Sequence, residues 1–139
     1  MKILIVFENK NTDNLFVPIL CKGLQALGIE VESSVEKFWT DATHYDIIHF
    51  QWPEEIAGWN NQNSDKVQAL EERVSFLKKQ GTKFIYTRHN SRPHYYNEIT
   101  CATYDIIESS CDIIVHMGQF SYNEFKSQYP KSHNVIIPH

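Results

Sequence analysis

Short apolar runs alternate along this chain with longer stretches in which apolar residues recur every three or four positions. Lys2 is followed by Ile3-Leu4-Ile5-Val6-Phe7, five apolar residues in succession. Strands buried on both faces of a parallel sheet read in this way. Residues 2–7, 29–33, 45–50, 84–87, 112–115 and 135–137 are therefore predicted strands. Phe16, Leu20, Leu24 and Leu27 fall at helical spacing and predict a helix over residues 14–27, stopped by Gly28. Val67, Leu70, Val74 and Leu77 predict another over residues 64–80, capped by Ser64 and ended by Gly81. A loop, residues 88–94, leads into a helical region through Ile107. Ser121-Tyr-Asn-Glu124 has the spacing of a capping box, so a helix is expected to start at Ser121 and to end before Pro130. Residues 35–43 carry no clear signal.

Strands alternating with helices predict an α/β fold, a three-layer Rossmann-like doubly wound parallel sheet of about six strands. The 139 residues suffice for one domain with a real core, and no repeat, low-complexity tract or linker divides them. Residues 1–139 are thus expected to form a single Rossmann-like domain. The last predicted strand is followed only by Pro138 and His139, at the mouth of the crevice such a sheet opens. The chain is therefore expected to be the first part of something longer.

Composition narrows the function. Net charge is -4 and the pI about 5.9, which argues against nucleic acid as a partner. No apolar run is long enough for a membrane span, and residues 1–7 are too short for a signal-peptide core. The polar face of the helix over 64–80 mixes Asp65, Glu71 and Glu72 with Lys66, Arg73, Lys78 and Lys79, unlike the mainly basic face of a membrane-binding helix. Cys21, Cys101 and Cys111 show no CxxC spacing and read as reduced thiols of a cytoplasmic protein.

Candidate chemistry gathers at the strand ends. His49, His89, His116 and His139 each sit at or just past the end of an apolar run. In a parallel sheet these ends face the ligand crevice; the plainer alternative is that His is tolerated where the chain leaves the core. The first βα loop, residues 8–13, has no glycine to bring backbone amides against a phosphate, and Asp13 would repel one at the helix start. A dinucleotide site is therefore disfavoured, while Asn9, Asn11 and Thr12 could still hydrogen-bond a polyhydroxylated ligand. A response-regulator site fails as well, since the third strand ends in His and Gln where that chemistry wants an Asp. A zinc site built on His89, His94 and His116 is a rival, though the spacing is not a zinc pattern. Trp52 offers an apolar face past the third strand, and Glu54 and Glu55 beside it could accept hydrogen bonds from sugar hydroxyls. The alternative is a Trp that covers the core edge next to a turn.

Four segments taken together resemble a known family. Asp46-Ile-Ile-His-Phe-Gln-Trp-Pro53, Thr87-Arg-His-Asn90, Cys111-Asp-Ile-Ile-Val-His-Met-Gly118 with Ser121, and Val135-Ile-Ile-Pro-His139 look like the amino-terminal domain of retaining GT-B fold glycosyltransferases. The resemblance covers essentially the whole chain. It implies an acceptor-binding half, with a carboxy-terminal domain that holds most of the nucleotide-sugar donor and begins just after His139. It implies a cytoplasmic enzyme of surface or capsular polysaccharide or glycan assembly, inactive as residues 1–139 alone. The donor is then a substrate, no metal or other cofactor is expected, and peripheral membrane association of the full-length protein stays open. His89 falls where the family often has a histidine near the transferred sugar, an orienting and electrostatic group more than a base, because the donor phosphate is usually thought to take the acceptor proton. His89 is the expected catalytic residue. Asn11, Trp52, Glu54, Asn90, His94 and Ser121 are the expected substrate contacts. The chain departs from the family in lacking a Gly pair in its first loop and in having Gln51 where many members have a second His. The alternative from another class is a stand-alone, non-catalytic Rossmann-like binding module.

Overall fold

A computed structural model describes residues 1–8, 13–40, 42–59, 63–94 and 96–138. Six strands, β1 (Lys2–Val6), β2 (Glu30–Ser33), β3 (Ile47–Phe50), β4 (Lys83–Arg88), β5 (Ile113–His116) and β6 (His133–Ile136), form one sheet in the order β2-β1-β3-β4-β5-β6. Every adjacent pair is parallel. The helices are α1 (Phe16–Ala26), α2 (Val35–Thr40), α3 (Glu54–Ala57), α4 (Ser64–Lys79), α5 (Glu98–Ser110) and α6 (Gln119–Phe125). This is the expected Rossmann-like doubly wound α/β fold.

Alternation along each strand sorts side chains to two faces. Ile3, Ile5 and Phe7 pack with Val17 of α1 and with Val31. Leu4, Val6, Ile48, Phe50, Phe84, Tyr86 and Ile114 pack on the opposite face. There they meet Phe38 of α2, Ile56 of α3, Leu70, Val74 and Leu77 of α4, and Ile107 of α5. The apolar stripe of α4 is thus its core face, with Val67 half-buried at its start. The three cysteines are free thiols. No helix among the described residues is long and apolar enough to cross a membrane.

Several boundaries differ from the sequence expectation, for reasons that lie in tertiary contacts. Residues 35–40 form α2 with two capping groups: the Ser34 hydroxyl accepts from the Lys37 amide at 3.1 Å, and the Glu8 carboxylate, just past the end of β1, accepts from the amides of Val35 at 2.7 Å and Glu36 at 3.3 Å. Glu8 is remote in sequence and gives no local signal, whereas Ser34 is a local capping residue that the sequence reading did not use. Asn63, not Ser64, caps α4, its side chain accepting from the Asp65 amide. α6 begins two residues before Ser121, with Gly118 as its N-cap, so the capping-box expectation is corrected. The Ser121 hydroxyl is instead 2.8 Å from Nδ1 of His116.

The chain starts in the sheet interior, steps out to β2, crosses back over β1 to β3, and then moves steadily outward to β6. Winding direction reverses between β1 and β3. The loops that leave these two strands diverge, and a crevice opens outside their carboxyl ends.

Candidate functional site

A cavity of about 500 Å³ occupies this switch point. Phe7 and Glu8 reach it from the end of β1, Trp52 from the end of β3, and Asn14 from just before α1. Glu55 and Trp59 come from α3 and its exit, and His94 from the loop between β4 and α5.

One compact unit, residues 52–59, supplies three of these side chains, Trp52, Glu55 and Trp59. Pro53 sets the entry to α3 with φ -56°, and the helix lasts a single turn. Gly58 ends it in the left-handed region, φ 83°, where a Cβ would be strained. The reversal returns the amides of Gly58 and Trp59 to the Glu54 carbonyl, at 2.8 and 3.2 Å. It also brings the Trp59 indole N–H to Oε1 of Glu55, 3.1 Å away. Trp52 and Trp59 therefore share the cavity wall with the Glu55 carboxylate. Burial holds the Glu55 carboxyl above its ordinary pKa against the Trp59 hydrogen bond, and the nearby Glu8 and Glu54 push it the same way.

Behind Trp52 stands His89. The two rings stack with centroids 4.1 Å apart and planes 16° from parallel. Phe16 of α1 meets the imidazole edge-on at 4.8 Å, and Phe7 tilts against the indole at 5.4 Å. Nε2–H of His89 donates to Oε1 of Gln51 over 2.7 Å. Gln51 is fully buried, and its Nε2 finds no acceptor among the described residues. Next to this pair, His49 lies 2.8 Å from the Thr87 hydroxyl. Burial, with a smaller push from His89, lowers the His49 pKa to about 4, so its ring is neutral at physiological pH.

Under the cavity floor, Glu54 is fully buried. Both of its oxygens accept from the Tyr104 hydroxyl at 3.0 Å, and Oε1 also accepts from the His94 amide at 2.9 Å. The His94 ring leans over the same oxygen with Nδ1 at 3.2 Å, and the Asn90 amide lies 3.3 Å from that nitrogen. Burial raises the Tyr104 pKa well past the ordinary phenol range, so the hydroxyl remains a donor to Glu54.

The expected site residues therefore divide. Trp52 and His94 line the cavity. Asn90 supports His94, and His89 supports Trp52 from behind without lining the cavity itself. Glu54 does not offer its carboxylate to the opening; Glu55 does. Ser121 belongs to a separate cluster at the end of β5, where His116 bridges its hydroxyl and Oδ1 of Asn134 at 2.8 and 2.7 Å. Asn11 lies outside the described residues, as do Asn9, Thr12 and His139. The sequence reading missed Trp59, Gln51 and Tyr104 as parts of this site. Only Trp59 had a visible cue, a second indole seven residues after the first.

The histidines of the rival zinc reading are divided among three networks, on Gln51, Glu54 and Ser121. Among the described residues, no three His, Cys, Asp or Glu side chains come together to hold a metal ion. No family model matches this chain, and neither does any curated protein.

Proposed function

We propose that this chain is the acceptor-binding domain of a nucleotide-sugar-dependent glycosyltransferase, and that the acceptor sugar sits in the cavity between β1 and β3. One observation carries the reading: two indoles, Trp52 and Trp59, line that cavity together with the half-buried Glu55 carboxylate, which accepts from the Trp59 indole. Indole faces suit the C–H faces of a pyranose ring, while carboxylate oxygens accept from its hydroxyls. Glu8, Asn14 and His94 add polar atoms around the rim. The four segments that resemble GT-B glycosyltransferases supply the adjacent strands β3, β4, β5 and β6, so their polar ends share one edge of the sheet. Catalysis would require a second domain to bring the donor to this edge, and a place in surface polysaccharide or glycan assembly rests on the resemblance alone.

The test is a titration of the chain with methyl glycosides of common hexoses and, separately, with nucleoside diphosphates, followed by NMR of the indole N–H groups. Glycosides are expected to shift the signals of Trp52 and Trp59. Diphosphates are expected to bind weakly or not at all, because the first loop lacks glycine. Binding of diphosphates in the cavity with no response to glycosides would overturn the proposal. Glycoside binding by a complete protein that transfers no sugar would favour a non-catalytic binding module.

A further inference from the structure

The cavity wall carries carboxylates and aromatic rings, and no Lys or Arg lines it among the described residues. Glu8 reaches it from the end of β1 and Glu55 from α3. The two amides that Glu8 caps, those of Val35 and Glu36, meet its Oε1, and among the described residues its Oε2 carries no hydrogen bond. Glu55 accepts from the Glu8 amide and, through Oε1, from the Trp59 indole. All of these donors are neutral. The His94 imidazole, which could carry positive charge, leans at 3.2 Å on a third carboxylate, Glu54, beneath the floor. Glu8 and Glu55 therefore border one partly desolvated space without a counter-charge among the described residues. The cost shows at Glu55, whose carboxyl is held above its ordinary pKa by burial first and then by Glu8 and Glu54. A cation in the cavity would relieve it. The rings favour the same charge. Phe7 and Trp52 lie 5.4 Å apart on one side, and Trp59 stands beside Glu55. The face of an indole attracts an ammonium as well as a sugar ring. A neutral sugar would donate hydroxyls to the carboxylates and leave both charges in place; an ammonium brings three donors and the missing charge.

We propose that the acceptor held in this cavity is an amino sugar, bound in its ammonium form, with the nitrogen on the Glu8 and Glu55 carboxylates and the ring against Trp52 and Trp59. This rests on the glycosyltransferase reading above and narrows it to one substrate class. The amine is a handle and not the nucleophile, since an ammonium has no lone pair with which to attack; a hydroxyl of the same sugar remains the reacting group. N-acetylation would remove the charge and two of the three donors, so the cavity selects the free amine. The same two carboxylates repel uronic acids and the diphosphate of a sugar donor.

The test is calorimetric titration of the chain with methyl glucosides bearing a free amine at C2, C3, C4 or C6, with the N-acetyl form of each, and with methyl glucoside itself. NMR of the indole N–H groups is recorded alongside. At least one amino glucoside is expected to bind about tenfold or more tightly than methyl glucoside and than its own N-acetyl form, as when a charge-assisted hydrogen bond replaces a neutral one. It should shift the Trp52 and Trp59 signals, and its advantage should shrink as salt is raised. Glu55→Gln is expected to remove the advantage while a melting curve shows the chain folded. Glu8→Gln should do the same, because the amide side chain keeps an oxygen for the Val35 and Glu36 amides. Equal affinity for amino, N-acetyl and plain glucosides, with both indoles shifting, would overturn the proposal and leave the sugar reading standing. An advantage that survives both substitutions would overturn the role of the two carboxylates. Tetramethylammonium binding as tightly as the best amino glucoside would overturn the amino sugar in favour of a simple cation site. Glycosides that perturb neither indole, with or without an amine, would overturn the sugar reading itself.

Discussion

The indole of Trp52 and the imidazole of His89 lie face to face, 4.1 Å between centroids, and join the carboxyl ends of β3 and β4. Phe16 closes the far edge of the imidazole, and Gln51 holds its Nε2. Trp52 is therefore braced before any ligand arrives, which lowers the ordering cost of binding.

His89→Ala removes this brace. It loses a ring stack worth about 0.5–1.5 kcal/mol and leaves buried Gln51 without its donor at a cost of about 1–3 kcal/mol. Urea denaturation should show a loss of roughly 1.5–4.5 kcal/mol, the sum of the two, together with weaker glycoside binding. His89→Phe should recover most of the binding, because it restores the stack without the hydrogen bond. If His89 instead contacted the reacting atoms, His89→Ala in the complete enzyme would lower kcat strongly at unchanged stability, and His89→Phe would not rescue it.

Glu55 separates stability from binding. Its carboxyl is held above the ordinary pKa by burial, so the ionised form is disfavoured in the fold. Glu55→Gln keeps an oxygen for the Trp59 indole and removes the charge. The melting temperature at pH 7 should rise slightly. Glycoside affinity should fall, by about 1.5–3 kcal/mol if a charge-assisted hydrogen bond to a sugar hydroxyl is lost. Calorimetric titration beside a melting curve reads both, and unchanged affinity would remove Glu55 from the sugar contacts.

The sheet was legible in the sequence because each strand is a local apolar run and each long helix a local periodicity. The runs beginning at Ile3 and at Ile113, and the stripe Val67, Leu70, Val74, Leu77, needed no knowledge of partners. What stayed hidden was set by contacts between distant segments. The helix over 35–40 takes one of its two caps from Glu8, twenty-seven residues before Val35, beside the local cap from Ser34. Glu54 and Glu55 are adjacent and alike in sequence, yet one turn of α3 buries the first under Tyr104 and leaves the second at the cavity. Ser121 matched a capping pattern, but Gly118 starts the helix and His116 takes the hydroxyl.

A second buried network fastens the carboxyl end of β4 to α5. Arg88 at the end of β4 pairs with Glu108 of α5, both almost fully buried, and the Tyr129 hydroxyl donates to the other carboxylate oxygen. The ring of Phe125 lies 3.5 Å from the guanidinium carbon. Burial raises the Glu108 pKa, and Arg88 and Tyr129 oppose that shift. Glu108→Ala would leave the guanidinium buried without its counter-charge, at a cost of about 3–5 kcal/mol. Chemical denaturation should show a loss of this size, whereas Tyr129→Phe, which removes one hydrogen bond only, should cost about 1 kcal/mol.

His49 predicts an acid-side loss of stability that one substitution can isolate. Burial, then His89, depresses its folded pKa to about 4, against an ordinary value near 6.5. Above pH 6.5 the ring is neutral in both folded and unfolded chains, and its contribution is fully present. As pH falls from 6.5 toward 4, the unfolded chain binds a proton that the folded one refuses, so stability drops through that window. The full shift would be worth at most about 3 kcal/mol; because the ring keeps some contact with solvent, a loss of roughly 1–2 kcal/mol is expected. His116 is depressed as well, chiefly by burial, and adds a loss of the same sign. His49→Gln keeps a donor for the Thr87 hydroxyl and cannot titrate. The melting temperature of His49→Gln should therefore fall less steeply between pH 6.5 and 4 than that of the unaltered chain, while the two curves run parallel above pH 7. Equal slopes in the acid window would show that the His49 ring titrates normally in the folded protein.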